Sequence, residues 1–205
     1  MSEDNQKPTR EQSEQATEGA AAATKADHDN IGTALKTVLT KPDVFFSEHY
    51  HGQKLFGLIS AGVFLGLVFF QWLLARTVRW WNRGFEFGFI TQSLTRVIAI
   101  AVPLIAVVFV FKMLAGKYQK THTLDFFIEK FGAALLLPAL LLIITLPLNL
   151  IDATIGHWTR GAALIMVYVA VFHICYRFAA PNRLVPAVLL TVGFYFAYRL
   201  MLLLL

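Results

Sequence analysis

Few residues in this chain stand at spacings that support chemistry. His49 and His51 flank Tyr50, a pair that invites a metal site. Alternate residues diverge on a helix and no third ligand stands nearby, so a solvated polar linker accounts for them better than bound zinc. Asp152 and His157 share one short segment, but no nucleophile stands beside them. His173 lies within a hydrophobic stretch, where ionisable groups are functional candidates; it is close to Arg177, and a satisfied neutral histidine is the simpler account. No phosphate-binding loop, dinucleotide fingerprint, HExxH or GxSxG elbow occurs. Only Asp152 brings a carboxylate to the outer ends of the later hydrophobic stretches, and an intramembrane aspartyl site needs two. The expectation is a protein that is not an enzyme, with no catalytic residue, no cofactor and no metal.

Other residues suggest binding or packing. Pro138 and Pro147 bracket an apolar run, with Thr145 between them and Asn149 just beyond. Prolines and midplane polar groups mark interrupted transporter helices, so these four are the candidate kink or polar pathway. Lys112, Lys117, Lys120 and Lys130 are candidate contacts for a cytoplasmic partner. Gly62 and Gly66 form a small-xxx-small pair that admits a close helix neighbour, within the bundle or in a second copy. Arg76, Arg79 and Arg83, interleaved with Trp80, Trp81, Phe85, Phe87 and Phe89, suit the headgroup region. Ordinary interfacial anchoring explains them more simply than a specific anionic-lipid site.

The elements that position these residues follow from composition. Apolar residues make up 57% of the 205 and charged residues 15%, far from a soluble domain. The apolar residues fall in blocks separated by short charged connectors. Spans are expected at about 55–75, 93–114, 131–151, 161–178 and 184–205, a bundle of five transmembrane helices in an all-α membrane protein. The segment IDATIGHWTR reads as the turn between the third and fourth spans. Thr123 with Asp125 offers a helix start ahead of the third span, and Pro103 a slight bend in the second.

Residues 1–30 carry a net charge of −4 and almost nothing apolar beyond small residues. They are expected to form a disordered cytoplasmic tail, and their acidity argues against a cleaved signal peptide. Residues 31–54 follow as an amphipathic juxtamembrane segment, with Ile31, Leu35, Val38 and Leu39 at helical spacing and Pro42 as its stop. Cys175 is the only cysteine, which excludes an intrachain disulfide. The +9 of the remaining residues is spread over connectors rather than clustered on a soluble module, so no nucleic-acid partner is expected. Counted near span ends, nine basic residues fall on one side and five on the other, favouring a cytoplasmic N-terminus and an outer C-terminus. The Arg-rich first connector opposes that orientation.

The segment Lys41-Pro42-Asp43-Val44-Phe45-Phe46 ahead of five closely spaced spans, and the connector from Gly116 leading to Pro138, resemble the Yip-domain family. The entry KLFGLISAGVF is similar to Firmicutes membrane proteins that place a zinc ribbon before a five-span unit, here without the ribbon. The resemblance implies a non-enzymatic protein of a bacterial plasma membrane. It would act through protein interaction or membrane organisation, with membrane lipids, a membrane or cytoplasmic protein and a second copy of itself as expected partners. The alternative is a small transporter or lipid-handling protein using the proline-kinked third span.

Overall fold

The computed structural model describes residues 31–47, 54–79 and 87–205. The expected disordered tail, His49, His51 and connector residues 80–86 lie outside the described residues, as do the side chains of Arg76 and Arg79. The chain divides into two units, Met1–Gln53 and Lys54–Leu205.

In the first unit, α1 (Ile31–Thr40) is followed directly by α2 (Pro42–Phe45). Pro42 takes the first turn of α2, where its missing N–H is no loss and its fixed φ suits the helix. Ala34 and Val38 are buried on α1, whereas Ile31, Leu35 and Leu39 are exposed, so the apolar stripe is wider than its buried part.

The second unit contains α3 (Lys54–Arg79), α4 (Phe87–Lys117), α5 (Leu124–Ala134), α6 (Leu136–Ile151), α7 (Ala153–Ile174) and α8 (Leu184–Leu204). A π-helical turn, Cys175–Ala179, extends α7. Among the described residues, five stretches are long and apolar enough to cross a membrane: Lys54–Ala75, Gly88–Lys117, Leu124–Asn149, Thr154–Ala179 and Leu184–Leu204. The shortest has 21 residues, about 31 Å at helical rise, against a hydrocarbon core of ~30 Å. The protein is thus an all-α, multi-span integral membrane protein. Helix α3 packs on α4, α5 and α6; α6 packs on α7; and α8 closes the ring between α7 and α4.

Local chemistry sets the helix ends. The Gln119 N–H meets the Gly116 carbonyl at 3.2 Å and the Lys120 N–H meets that of Ala115 at 2.9 Å, with Gln119 at φ 59°. This is the double-bonded left-handed stop that satisfies the last carbonyls of a helix, and it turns the chain out of α4. Thr123 starts α5 as expected, its hydroxyl oxygen accepting from the Phe126 N–H at 3.3 Å. Pro138 explains the break between α5 and α6. It has no N–H for the Ala134 carbonyl and its ring crowds that group; α5 ends at Ala134 and α6 begins at Leu136. Pro103 and Pro147 lie inside helices that continue past them.

Three expectations need correction. The segment IDATIGHWTR is not a turn: Asp152 caps α7, and Ala153 to Arg160 are its first residues. Asp152 Oδ1 accepts from the Thr154 N–H at 2.5 Å and the Ile155 N–H at 3.3 Å, which satisfies two of the donors left open at a helix start. Gly62 and Gly66 do not mediate packing within the bundle, because a Cβ at either would meet nothing within 4 Å. Gly57 and Gly132 do that instead. A Cβ on Gly132 would fall on the Gly57 backbone, with its Cα at 2.6 Å, and one on Gly57 would lie 2.7 Å from the Glu129 Cα.

The third concerns Lys130. Its side chain is 0% exposed, so it is not on a contact surface with Lys112, Lys117 and Lys120. It pairs with Glu129 at 3.2 Å and lies 5.5 Å from the Phe126 ring centroid, on a helix whose Phe126, Phe127 and Phe131 are buried too. The close backbone approach at Gly57 and Gly132 draws this charged part of α5 into the bundle. At the start of the same helix, Lys54 bridges Asp125 at 2.7 Å and ties α3 to α5.

Candidate anionic-ligand site

One polar site lies towards the end of the bundle opposite Lys117. It is built from the second half of α3, the middle of α6, the C-terminal part of α8 and the N-terminal halves of α4 and α7. Here a cavity of about 280 Å³ is lined by Arg96, Arg160 and Arg199, with His157, Tyr198, Gln71 and Trp72. Phe64, Val68, Ile100, Leu142 and Leu164 supply its apolar wall. No aspartate or glutamate is among the described residues lining it.

Trp72 holds two of the arginines. The Arg96 guanidinium lies 4.9 Å and that of Arg160 5.3 Å from the indole centroid. Each contact is worth about 0.5–2 kcal/mol, depending on how dry the site is. The same distances place the two cations within about 10 Å of each other, where like charges repel by about 1.7 kcal/mol or more at an effective dielectric of ~20. The indole contacts offset part of that repulsion, and an anion bound beside both guanidinium groups would offset more. Arg199 is exposed, and its Nε donates to the Tyr195 hydroxyl at 3.3 Å.

The polar groups of the cavity floor are committed to one another. Gln71, 1% exposed, donates from Nε2 to the Leu142 carbonyl at 2.6 Å, and its Oε1 accepts from Asn149 Nδ2 at 2.6 Å. Asn149 fits because residue 156 is glycine: a Cβ there would meet Asn149 Cγ at 2.5 Å and Cα at 3.1 Å. These contacts staple α3, α6 and α7 beneath the cavity. Thr145 is buried, and its hydroxyl donates to the Leu141 carbonyl at 2.7 Å within its own helix.

Of the residues picked out as a polar pathway, Pro138, Thr145, Pro147 and Asn149 do not line the cavity. Asn149 acts through Gln71, and Pro138 through the helix break. The sequence showed Arg96, Arg160 and Arg199 one at a time, at span ends, and gave no sign that they converge. Gln71 carried a signal that went unused, since an uncharged amide near the end of an apolar span needs a partner. Lys112 and Lys117 are exposed at the opposite end, where Lys117, Lys120 and Arg183 border a shallow recess of about 440 Å³ and Arg183 lies 4.6 Å from the Tyr118 ring centroid. Among the described residues, no cluster of three or more metal-ligating side chains occurs. Compared with protein-family models, curated proteins and solved structures, the chain matches none.

Proposed function

We propose that this integral membrane protein handles anionic lipids without chemical turnover, holding a headgroup phosphate in the cavity lined by Arg96, Arg160 and Arg199. The meeting of three arginines from separate helices in the lining of one cavity carries this proposal. Planar guanidinium forks match phosphate oxygens and stay charged at any physiological pH. The apolar wall descends from the same cavity into the span region, as a lipid needs for its chains. Trp158, exposed on α7, adds an aromatic anchor at that level.

The test is thermal stabilisation of the purified protein in non-ionic detergent. Anionic phospholipid should raise its melting temperature and phosphatidylcholine should not, because a ligand that binds only the folded state stabilises it by mass action. The paired substitutions Arg96→Gln and Arg160→Gln should remove the difference. Equal stabilisation by both lipids, or an unchanged difference in the variant, would falsify the assignment.

A second reading keeps the Yip-like resemblance and its interaction role. The basic recess formed by Lys117, Lys120 and Arg183 favours it, as a surface for an acidic partner at the other end of the bundle. Neutralising Lys117 and Lys120 should then abolish partner recovery from the native membrane while insertion continues. The lysine distribution favours placing this recess on the cytoplasmic side and the arginine cavity on the outer side. In a Cys175-free background, Lys117→Cys and His157→Cys should label from opposite sides; labelling from one side overturns that orientation.

A further inference from the structure

We infer that the arginine cavity selects lipid phosphomonoesters, whose headgroup is a terminal dianionic phosphate, over the monoanionic phosphodiesters that make up most anionic phospholipid. This specificity rests on the headgroup site proposed above and narrows its ligand.

Charge is the first ground. The described lining residues include three arginines and no aspartate or glutamate. Arg96 and Arg160 are held within about 10 Å of each other by Trp72. A diester brings one negative charge into that field. A monoester brings nearly two near neutral pH, so its differential attraction is large in a half-buried site.

Donor count is the second. Arg96, Arg160 and Arg199 can only donate. Gln71 is committed, its carbonyl oxygen to Asn149 and its amide to Leu142, and the other polar lining residues, His157 and Tyr198, can donate as well as accept. A wall this rich in donors calls for a ligand rich in acceptors. A terminal phosphate exposes three oxygens, whereas a diester exposes two and shields them with a second substituent.

Size and sign are the third. At about 280 Å³ the cavity lies at the small end for a ligand site and has room for a phosphate headgroup. Ethanolamine and choline headgroups would also add a cation among the arginines.

The test is calorimetric titration of the full-length protein in non-ionic detergent with dioctanoyl phosphatidic acid, dioctanoyl phosphatidylglycerol and inorganic phosphate. The monoester should bind at least about tenfold more tightly than the diester, the gain expected from one further charge-assisted hydrogen bond, and inorganic phosphate more weakly than either. Arg160→Gln should lower monoester affinity by about tenfold and bring the two lipids close together. Arg199→Gln, at an exposed position that tolerates replacement, should act in the same direction. Equal binding of both lipids overturns the monoester specificity and leaves the headgroup site standing. No binding of either lipid overturns the site itself. Inorganic phosphate binding as tightly as the monoester makes the ligand a free anion and overturns the lipid assignment. Monoester binding unchanged in both variants places the ligand elsewhere and overturns the specificity with it.

Discussion

Replacing Gln71 by Met keeps length and volume but deletes both hydrogen bonds that Gln71 makes, one to the Leu142 carbonyl and one to Asn149, each 2.6 Å long. Interhelical hydrogen bonds in membrane proteins average about 0.6 kcal/mol and reach about 1.7, so the pair is worth about 1–3 kcal/mol. Asn149→Ala deletes only one of them and leaves Gln71 bonded to Leu142, so it should cost about 1 kcal/mol plus a small cavity term. The bonded pair must also be coupled. Once Gln71 is gone, Asn149 is a buried amide that has lost a partner, and removing it as well should cost less than it does alone. The double variant should therefore fall short of the sum of the singles by about 0.5–2 kcal/mol. Equilibrium unfolding of all four proteins in one detergent measures the cycle. Additivity to within about 0.3 kcal/mol would show that the two residues act independently and would refute the staple.

Other substitutions probe the remaining features. Gly132→Ala drives a methyl group into the Gly57 backbone and should destabilise by about 3 kcal/mol or more, lowering the monodisperse fraction after solubilisation. Gly62→Ala and Gly66→Ala, which face open space, should leave that fraction unchanged. Lys130→Met breaks the buried 3.2 Å ion pair with Glu129 and should cost about 3–5 kcal/mol, much of it recovered when Glu129→Gln is added; thermal unfolding of the single and double variants separates the two. The Thr154 and Ile155 backbone N–H groups hold the Asp152 carboxyl below its ordinary value. A lowered folded value means that the cap's contribution is fully present above the ordinary carboxylate range and is lost as the pH falls through that range towards the lowered value. The melting-temperature gap between wild type and Asp152→Ala should be constant above about pH 5 and close as the pH falls below about 4.

Sequence alone was enough for the membrane class, the five spans and several helix ends, because those are set within a few turns of chain. Crossing ~30 Å of hydrocarbon requires about 20 apolar residues in a row, and five such runs can be counted directly. Thr123 and Pro42 act on their own neighbours, so their effects were readable. Asp152 acts locally as well, but Gly156, His157 and Arg160 suggested a loop where α7 already continues. The reason is tertiary: residue 156 is glycine to admit Asn149 from the preceding helix, not to turn the chain.

What only the tertiary structure decided is the rotation of each helix about its own axis. A small-residue pair occurs on α3 at Gly62 and Gly66, yet the face that meets α5 carries Gly57. Lys130 belongs by sequence to a lysine-rich connector, and the α3–α5 approach buries it beside Glu129. The arginine cavity follows the same logic. Arg96, Arg160 and Arg199 come from three different helices, α4, α7 and α8, and each alone is an ordinary residue near a membrane surface. Their convergence depends on the ring order of the bundle, with α8 inserted between α4 and α7. Hydrophobic length specifies that a helix crosses the bilayer, but lipid surrounds every apolar face alike, so only side-chain packing and interhelical hydrogen bonds specify which face turns inward.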